Sequence, residues 1–453
     1  MFISQNPATG EIIDRVPFMA GAQLEQRLQN AAVAAEQWEQ YSHSARATLL
    51  MAVADRLTQT REALARLMAL EMGKLYREGL AEVDKCAAAC RYFAEHAEAM
   101  LQDEPVTTPA SRSYLRYQPL GVVFAIMPWN FPLWQVFRCI APALMAGNAA
   151  LIKHAPNVPG CAAAIEALFT EAGAPAGLVT NLYISTEQAA QVIADKRVHG
   201  VAFTGSEMAG RAIGALAGQH LKKAVLELGG SDPFIILEDA DLAQAVEVAV
   251  RARFSNAGQI CIAAKRFLVV QSLADEFTQR FVARVQALRI GDPLDDATTL
   301  APMARADLRE LVHQQVQKTL AQGARAVTGC ELLAGEGYFY APSVIDNVKV
   351  GMSAFSDEVF GPVAAITVVR DEADAIAHAN ATRFGLGASV WTADTEKGEA
   401  LIQCLHVGAG FVNAQVASDV RMPFGGTKAS GVGRELGCQG LREFCNLQSV
   451  WVA

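Results

Sequence analysis

Cys261 closes the segment Phe254-Ser255-Asn256-Ala257-Gly258-Gln259-Ile260-Cys261, just after a glycine-containing turn. A cysteine in such a place can act as a soft nucleophile once its thiol ionises. A single cysteine is more often a small buried hydrophobe, as Cys86 and Cys90 illustrate, four residues apart on an alanine-rich stretch. Glu227, in Val225-Leu226-Glu227-Leu228-Gly229-Gly230, stands at the end of an apolar run. Burying a carboxylate there is costly unless it is paired or neutral, and a desolvated glutamate near a nucleophile suits the activation of water. Taken alone, a satisfied structural carboxylate is the commoner outcome. Asn130 lies in Met127-Pro128-Trp129-Asn130-Phe131-Pro132, where two prolines stiffen the loop. A rigid amide can donate to a developing oxyanion, although an isolated Asn of this kind more often caps a turn. In Phe203-Thr204-Gly205-Ser206, followed by Gly210, a glycine and a serine stand where a helix starts. Donors at a helix start suit a phosphate, but the segment lacks the G-x-G-x-x-G spacing and is weak evidence by itself.

The elements that must position these groups read as a large α/β protein. At 453 residues, 52% hydrophobic and 19% charged, the chain matches a globular protein with a large core. Its length suggests about three domain-sized units of ~150 residues. A net charge of −9 with acids and bases intermixed argues against a nucleic-acid partner, while local cations can still hold an acidic substrate. No apolar run approaches the ~18 residues of a membrane span. The opening Met1-Phe2-Ile3-Ser4-Gln5-Asn6 has no basic region followed by an apolar stretch, so no secretory signal is expected. Nine cysteines without framework spacing fit reduced thiols in a cytoplasm. The eight histidines are scattered, none at ligand spacing, so no metal is expected and His154 reads as packing.

Apolar residues three or four apart predict helices over 21–40, 44–72 and 79–101. The polar break at 107–111 leads into an alternating stretch, 112–118, that can form an arm. Strand-like runs at Val122–Met127, Ala149–Lys153, Val179–Ile184, Gly200–Phe203, Ala224–Leu228 and Phe234–Leu237 follow, with helical patterns at 158–172, 186–195 and 207–220. A second series gives helices over 241–255, 272–287, 305–322, 371–380 and 394–405, and strands over 265–270, 360–369 and 386–392. Such alternation predicts two doubly wound α/β sheets with a cleft between them. The end, 443–452, reads as a strand that pairs elsewhere, on a partner subunit.

Taken together and in order, these motifs resemble the aldehyde dehydrogenase superfamily. The likeness runs from Asn6-Pro7-Ala8-Thr9-Gly10, through Glu358-Val359-Phe360-Gly361-Pro362-Val363, to Pro423-Phe424-Gly425-Gly426-Thr427-Lys428-Ala429-Ser430-Gly431. It implies an aldehyde dehydrogenase-like fold of two doubly wound α/β domains with a small β oligomerisation arm. Residues 1–106 and 119–228 would form the dinucleotide-binding domain, 229–422 the catalytic domain, and 107–118 with 440–453 the arm, in a homodimer or homotetramer. It also implies roles. Cys261 would attack an aldehyde to give a thiohemiacetal, with Asn130 and the Cys261 N–H holding the oxyanion. Hydride would pass to a nicotinamide, and Glu227 would activate water to hydrolyse the thioester. Relatives that release an acyl-CoA lack that glutamate, so hydrolysis is expected. Lys153, Gly205, Ser206, Gly210, Leu228 and Trp129 would line the cofactor, with Glu358 and Phe360 at its nicotinamide end.

Within Lys153-His154-Ala155-Pro156, Pro156 stands where NAD-preferring relatives carry a glutamate against the ribose 2′-hydroxyl. Both NAD and NADP are therefore expected. Arg138, eight positions after Asn130 on a helix leaving that loop, and Ser418 match carboxylate-binding residues of succinate-semialdehyde dehydrogenases, with Phe131 and Phe424 beside the substrate. Ser255 stands where some relatives have a second arginine, which loosens the grip on a carboxylate and leaves room for uncharged aldehydes. Two readings of other classes remain: a catalytically silent binding protein of the same fold, and a thiol esterase using Cys261 without redox chemistry.

Overall fold

The computed structural model describes residues Met1–Ala453. Two large sheets carry the chain, as the alternation predicts. The first has six strands, in spatial order Gly431–Val432, Lys223–Glu227, Val198–Thr204, Val122–Met127, Ala149–His154 and Val179–Asn181. All pair in parallel except Gly431–Val432. The chain enters this sheet at Val122–Met127, builds outward one way, then returns to build the other way from Val198–Thr204. Beyond the carboxyl ends of these two central strands lie Trp129–Asn130 and Gly205–Ser206, so the loop and the helix start flank the point where strand order reverses. Ligands of open α/β sheets bind at such a point.

The second sheet has seven strands, in order Arg325–Thr328, Ser343–Asp346, Val363–Val369, Ala264–Val270, Asp232–Ile236, Gly387–Trp391 and Ala409–Val412. Side chains of a strand alternate between faces. Ile235, Leu268, Ala365 and Val390 accordingly join the apolar core on one face, while Phe234, Ile236, Phe267, Val269, Ile366 and Trp391 join the other. Because both faces are covered, these strands read as continuous apolar runs.

Two expectations need correction, and one hairpin was not expected. The helix predicted over 44–72 is two helices, His43–Gln59 and Arg61–Met72, meeting at Thr60, whose φ is −100° and ψ 10°. The Thr60 hydroxyl donates to Arg56 O at 2.8 Å, a local bond that competes with the helix ladder and that a periodic stripe cannot reveal. The terminal strand Cys445–Val452 pairs antiparallel with Arg112–Pro119 of its own chain, from Cys445 opposite Pro119 to Val452 opposite Arg112. The antiparallel hairpin Phe2–Gln5 and Ile12–Val16 was not foreseen. No helix is long and apolar enough to cross a membrane.

Candidate active site

Helix Leu242–Phe254 delivers the chain into a turn whose next residues depart from ordinary backbone. Asn256, Ala257 and Gly258 have φ of 50°, 53° and 72°. An alanine in the left-handed region costs about 1–2 kcal/mol and persists only where its surroundings insist. Here they do. The Glu78 carboxylate accepts the Asn256 N–H at 3.1 and 3.2 Å. Gln259 donates to Asn256 O at 3.1 Å and accepts the Ala304 N–H at 2.9 Å. A Cβ at Gly258 would lie 2.3 Å from Gly361 O, so only glycine fits. Buried Lys265 donates to Ile260 O at 2.9 Å and Cys261 O at 2.6 Å, and pairs with Glu358 at 3.4 Å. The cysteine therefore stands on a clamped backbone.

The turn also reaches Asn130. Its amide donates to Gln259 O at 3.0 Å, while Asn256 donates to Asn130 O at 2.9 Å. An amide nitrogen carries two hydrogens, so Asn130 keeps one for a ligand. The Cys261 N–H has no acceptor within the fold. Cys261 and Cys438 are half-buried, Cys404 is exposed and the other six cysteines are buried, all as free thiols. Burial pushes the Cys261 thiol up to about 11, with Arg138 and Lys265 pulling against it.

Glu227, 2% exposed, ends the strand Lys223–Glu227. Burial drives its carboxyl far above the usual range, and Glu435 adds to this while Arg138 opposes it. Its Oε1 has no hydrogen-bond partner in the fold. A buried oxygen left free is costly, which is reasonable where a ligand or water is to be met.

Cys261 opens on a cavity of about 290 Å³ walled by Phe131, Trp134, Ile260, Val416 and Phe424, with Lys85, Arg138, Ser255 and Ser418 among its polar groups. Arg138 reaches this wall from helix Trp134–Met145 but is 2% exposed, ion-paired to Glu435, bonded to Thr204 Oγ1 at 3.3 Å and 4.7 Å from the Phe424 ring centre. Its charge is thus already matched from behind. Ser418 accepts a bond from Lys85 Nζ at 2.7 Å.

The residues expected at the cofactor lie at and beyond the carboxyl ends of the first sheet's strands, with Glu358 and Phe360 packed against Gly229, Gly230 and Trp129. Helix Glu207–Gln219 starts at Ser206, whose hydroxyl accepts from Ala209 N at 3.3 Å and keeps its own proton to donate. Gly210 packs on Leu228, where a Cβ would lie 2.3 Å from the leucine Cδ2. Gly205 leaves no room for a Cβ against the Phe203 ring, 2.4 Å away. Trp129 and Phe360 meet edge to face at 5.9 Å. Glu358 accepts the Gly230 N–H at 3.1 Å, and a Cβ at Gly229 would lie 2.2 Å from its Oε2. Lys153 is half-buried without an ion pair, and burial lowers its ammonium. Amide donors at a helix start, an unpaired lysine and facing aromatics suit a phosphate-linked dinucleotide. Pro156 offers no carboxylate, and its carbonyl is taken by Ile3 N at 3.0 Å.

His154, at the end of the strand Ala149–His154, ties these residues to the Asn130 loop. Its Nε2 bonds Pro132 O at 2.7 Å and its Nδ1 accepts the Ala155 N–H at 2.8 Å, which requires the neutral ring. Burial depresses its pKa from 6.5 to about 4. A depressed histidine lets the unfolded chain bind the proton first, so stability falls as pH drops from about 6.5 to about 4, by roughly 3 kcal/mol in all. In denaturant titrations His154→Gln should lose that much less stability over this range than the parent. Parallel losses would show that His154 is not the group responsible.

The sequence profile of the aldehyde dehydrogenase family matches residues 2–450. The chain belongs to the aldehyde dehydrogenase family. It is 48% identical over 449 residues to the Escherichia coli succinate semialdehyde dehydrogenase [NAD(P)+], covering 99% of this chain and 97% of the relative. It is also 48% identical to a probable succinate-semialdehyde dehydrogenase [NADP(+)] of Synechocystis, covering 99% of each. Among solved structures it resembles the succinic semialdehyde dehydrogenase of Streptococcus pyogenes in complex with NADP+, with a TM-score of 0.98 and 38% identity over 100% of both chains.

Several residues of this aldehyde dehydrogenase escaped the sequence reading. Glu435 lies a few residues beyond the glycine-rich segment 425–431 and carries no local mark of its bond to Arg138. Lys265 stands at the second position of the strand Ala264–Val270, and a lysine leading into an apolar run, here 1% exposed, is a signal that could have been read. Lys85 and Glu78 sit on helix Tyr76–Met100 and reach the cavity only through its packing.

Proposed function

We propose that this aldehyde dehydrogenase oxidises succinate semialdehyde, or another short carboxylated aldehyde, to the acid with NAD or NADP. One observation carries the reading: the Cys261 cavity is walled by apolar groups yet includes Lys85, Arg138 and Ser418. The names of the relatives in E. coli and Synechocystis point the same way.

In this reading the Cys261 thiol gives up its proton to water and its sulfur adds to the aldehyde carbon, the C=O π pair moving onto the oxygen as an oxyanion that faces the Asn130 amide and the free Cys261 N–H. Ser206, Lys153, Trp129, Phe360 and Glu358 would hold the dinucleotide, which would supply the acceptor for the hydride that leaves the thiohemiacetal carbon as the thioester forms. Glu227 then takes a proton from water as the water oxygen attacks the thioester carbonyl. The acid leaves and the Cys261 thiol is restored. Lys265 keeps the nucleophile and Glu358 in register by bonding both. With no acid at 156, no negative charge in Lys153-His154-Ala155-Pro156 repels a 2′-phosphate, which supports use of either cofactor.

The wider assignment follows the same reading: residues 1–106 and 119–228 bind the dinucleotide and 229–422 carry the nucleophile. Residues 107–118 with 440–453 assemble subunits in the cytoplasm, through a sheet that exposes Leu447 and Trp451. Ser255 and the ring-rich cavity wall favour a second reading, a broader enzyme for uncharged aldehydes. Initial rates with succinate semialdehyde and butanal, each with NAD and NADP, separate the two. We expect a kcat/KM advantage of at least about tenfold for the charged aldehyde, since hydrogen bonds to charged groups contribute about 1.5–3 kcal/mol. Equal values would favour the broader enzyme, and a NADP rate lower by roughly a thousandfold would remove the dual-cofactor reading. Hydrolysis of an ester without a dinucleotide, with no oxidation of either aldehyde when one is supplied, would instead support a thiol esterase.

A further inference from the structure

We propose that Lys85, acting with Ser418, is the residue that receives the carboxylate of the substrate. The inference rests on the carboxylated-aldehyde reading and names the cation within it. Lys85 projects from helix Tyr76–Met100 into the Cys261 cavity. Its Nζ donates to Ser418 Oγ at 2.7 Å and lies 4.3 Å from the Trp134 ring centre. It is half-buried and forms no ion pair.

The neighbouring charges are otherwise engaged. Glu82 pairs with Lys74 and accepts the N–H groups of Leu133 and Trp134, both at 2.9 Å. Asp419 is held by Arg421 at 2.6 Å. Arg138, the other cation at the wall, is matched by Glu435. Lys85 is therefore the cation of this cavity whose charge has no partner. Burial, reinforced by Arg138, lowers its ammonium to about 8, against the opposing pull of Cys86, Glu82 and Asp419. An ammonium that has lost water without gaining a counter-ion gains more from an incoming carboxylate than one already paired. Its two unused N–H groups and the Ser418 hydroxyl can together donate to both carboxylate oxygens.

From the sequence, Ser418 is expected to bind the carboxylate together with Arg138. The packed structure assigns it a different cation, on a helix more than three hundred residues away in sequence.

The test compares Lys85→Met and Lys85→Arg with the parent enzyme on succinate semialdehyde and on butanal, under one saturating cofactor. Lys85→Met should lower the charged-to-uncharged ratio of kcat/KM by about 10- to 100-fold, with the change in KM rather than kcat. Lys85→Arg, which keeps the charge, should recover much of that ratio. An unchanged ratio in Lys85→Met would overturn the assignment, as would a Lys85→Arg ratio no better than that of Lys85→Met. Because both substrates meet the same protein, partial misfolding lowers both rates and leaves the ratio alone. If the parent itself shows no preference for succinate semialdehyde, the carboxylated-aldehyde reading fails first, independently of Lys85.

Discussion

Cys261→Ala should lose aldehyde oxidation by on the order of 10⁴-fold or more while binding the dinucleotide as before. Alanine keeps the backbone N–H and most of the volume but removes the atom that bonds to carbon, so the covalent route closes entirely. The turn should survive, because its clamps fall on backbone and on Asn256 and Gln259 rather than on the sulfur. Single-turnover reduction of cofactor measures the first claim and a cofactor titration the second. Retention of more than about one per cent of the parent rate would mean that another group carries the chemistry. No other half-buried or exposed thiol borders the cavity, since Cys404 and Cys438 lie elsewhere.

The second large effect is expected at Glu227, and its form is more telling than its size. Glu227→Gln should keep a first burst of about one reduced cofactor per site and then slow by about 10²- to 10⁴-fold, the usual contribution of a positioned general base. The amide is nearly isosteric but cannot take the proton from water, so the thioester accumulates. The pH dependence supplies a sign. Burial holds the Glu227 carboxyl protonated well beyond the ordinary carboxylate range, so its basic form appears only as pH rises. Parent turnover limited by thioester hydrolysis should climb with pH, and Glu227→Gln should lack that limb. Loss of the burst together with turnover would instead place Glu227 before hydride departure. Hydroxylamine, which cleaves thioesters without a base, should partly restore the variant and trap the acyl group.

The same pair of residues shows how far sequence carries. Glu227 and Cys261 each read locally as more ordinary residues, and only their occurrence together with the Asn130 loop and the Gly205-Ser206 helix start, in the family's order, marks them out. What the residues beside them do was not readable. Nothing local says that Ala257 adopts φ 53°, because the turn is held by groups distant in sequence, the Glu78 carboxylate on the Asn256 N–H and the Ala304 N–H on Gln259. Arg138, expected from the sequence to bind a carboxylate from a helix leaving the Asn130 loop, lines the cavity from helix Trp134–Met145. Its pairing with Glu435 came only with packing, and that pairing moves the expected carboxylate contact toward Lys85.

Strand and helix order followed from period, since a buried parallel strand and an amphipathic helix each leave a pattern within a single window of residues. One-residue breaks such as Thr60 did not, because a side-chain bond to Arg56 O changes geometry without changing the apolar stripe. Nor did the partner of the terminal strand. An alternating strand shows that it needs an edge, and only the fold shows that the edge is Arg112–Pro119 of the same chain.

By itself, then, the amino-acid sequence determined the order of elements, the family and the residue types present for the chemistry, because those depend on local pattern and on which functional groups the chain contains. Tertiary structure alone decided which charges are already matched. That depends on side chains far apart in sequence meeting at hydrogen-bond range, as Arg138 meets Glu435 and Lys85 meets Ser418.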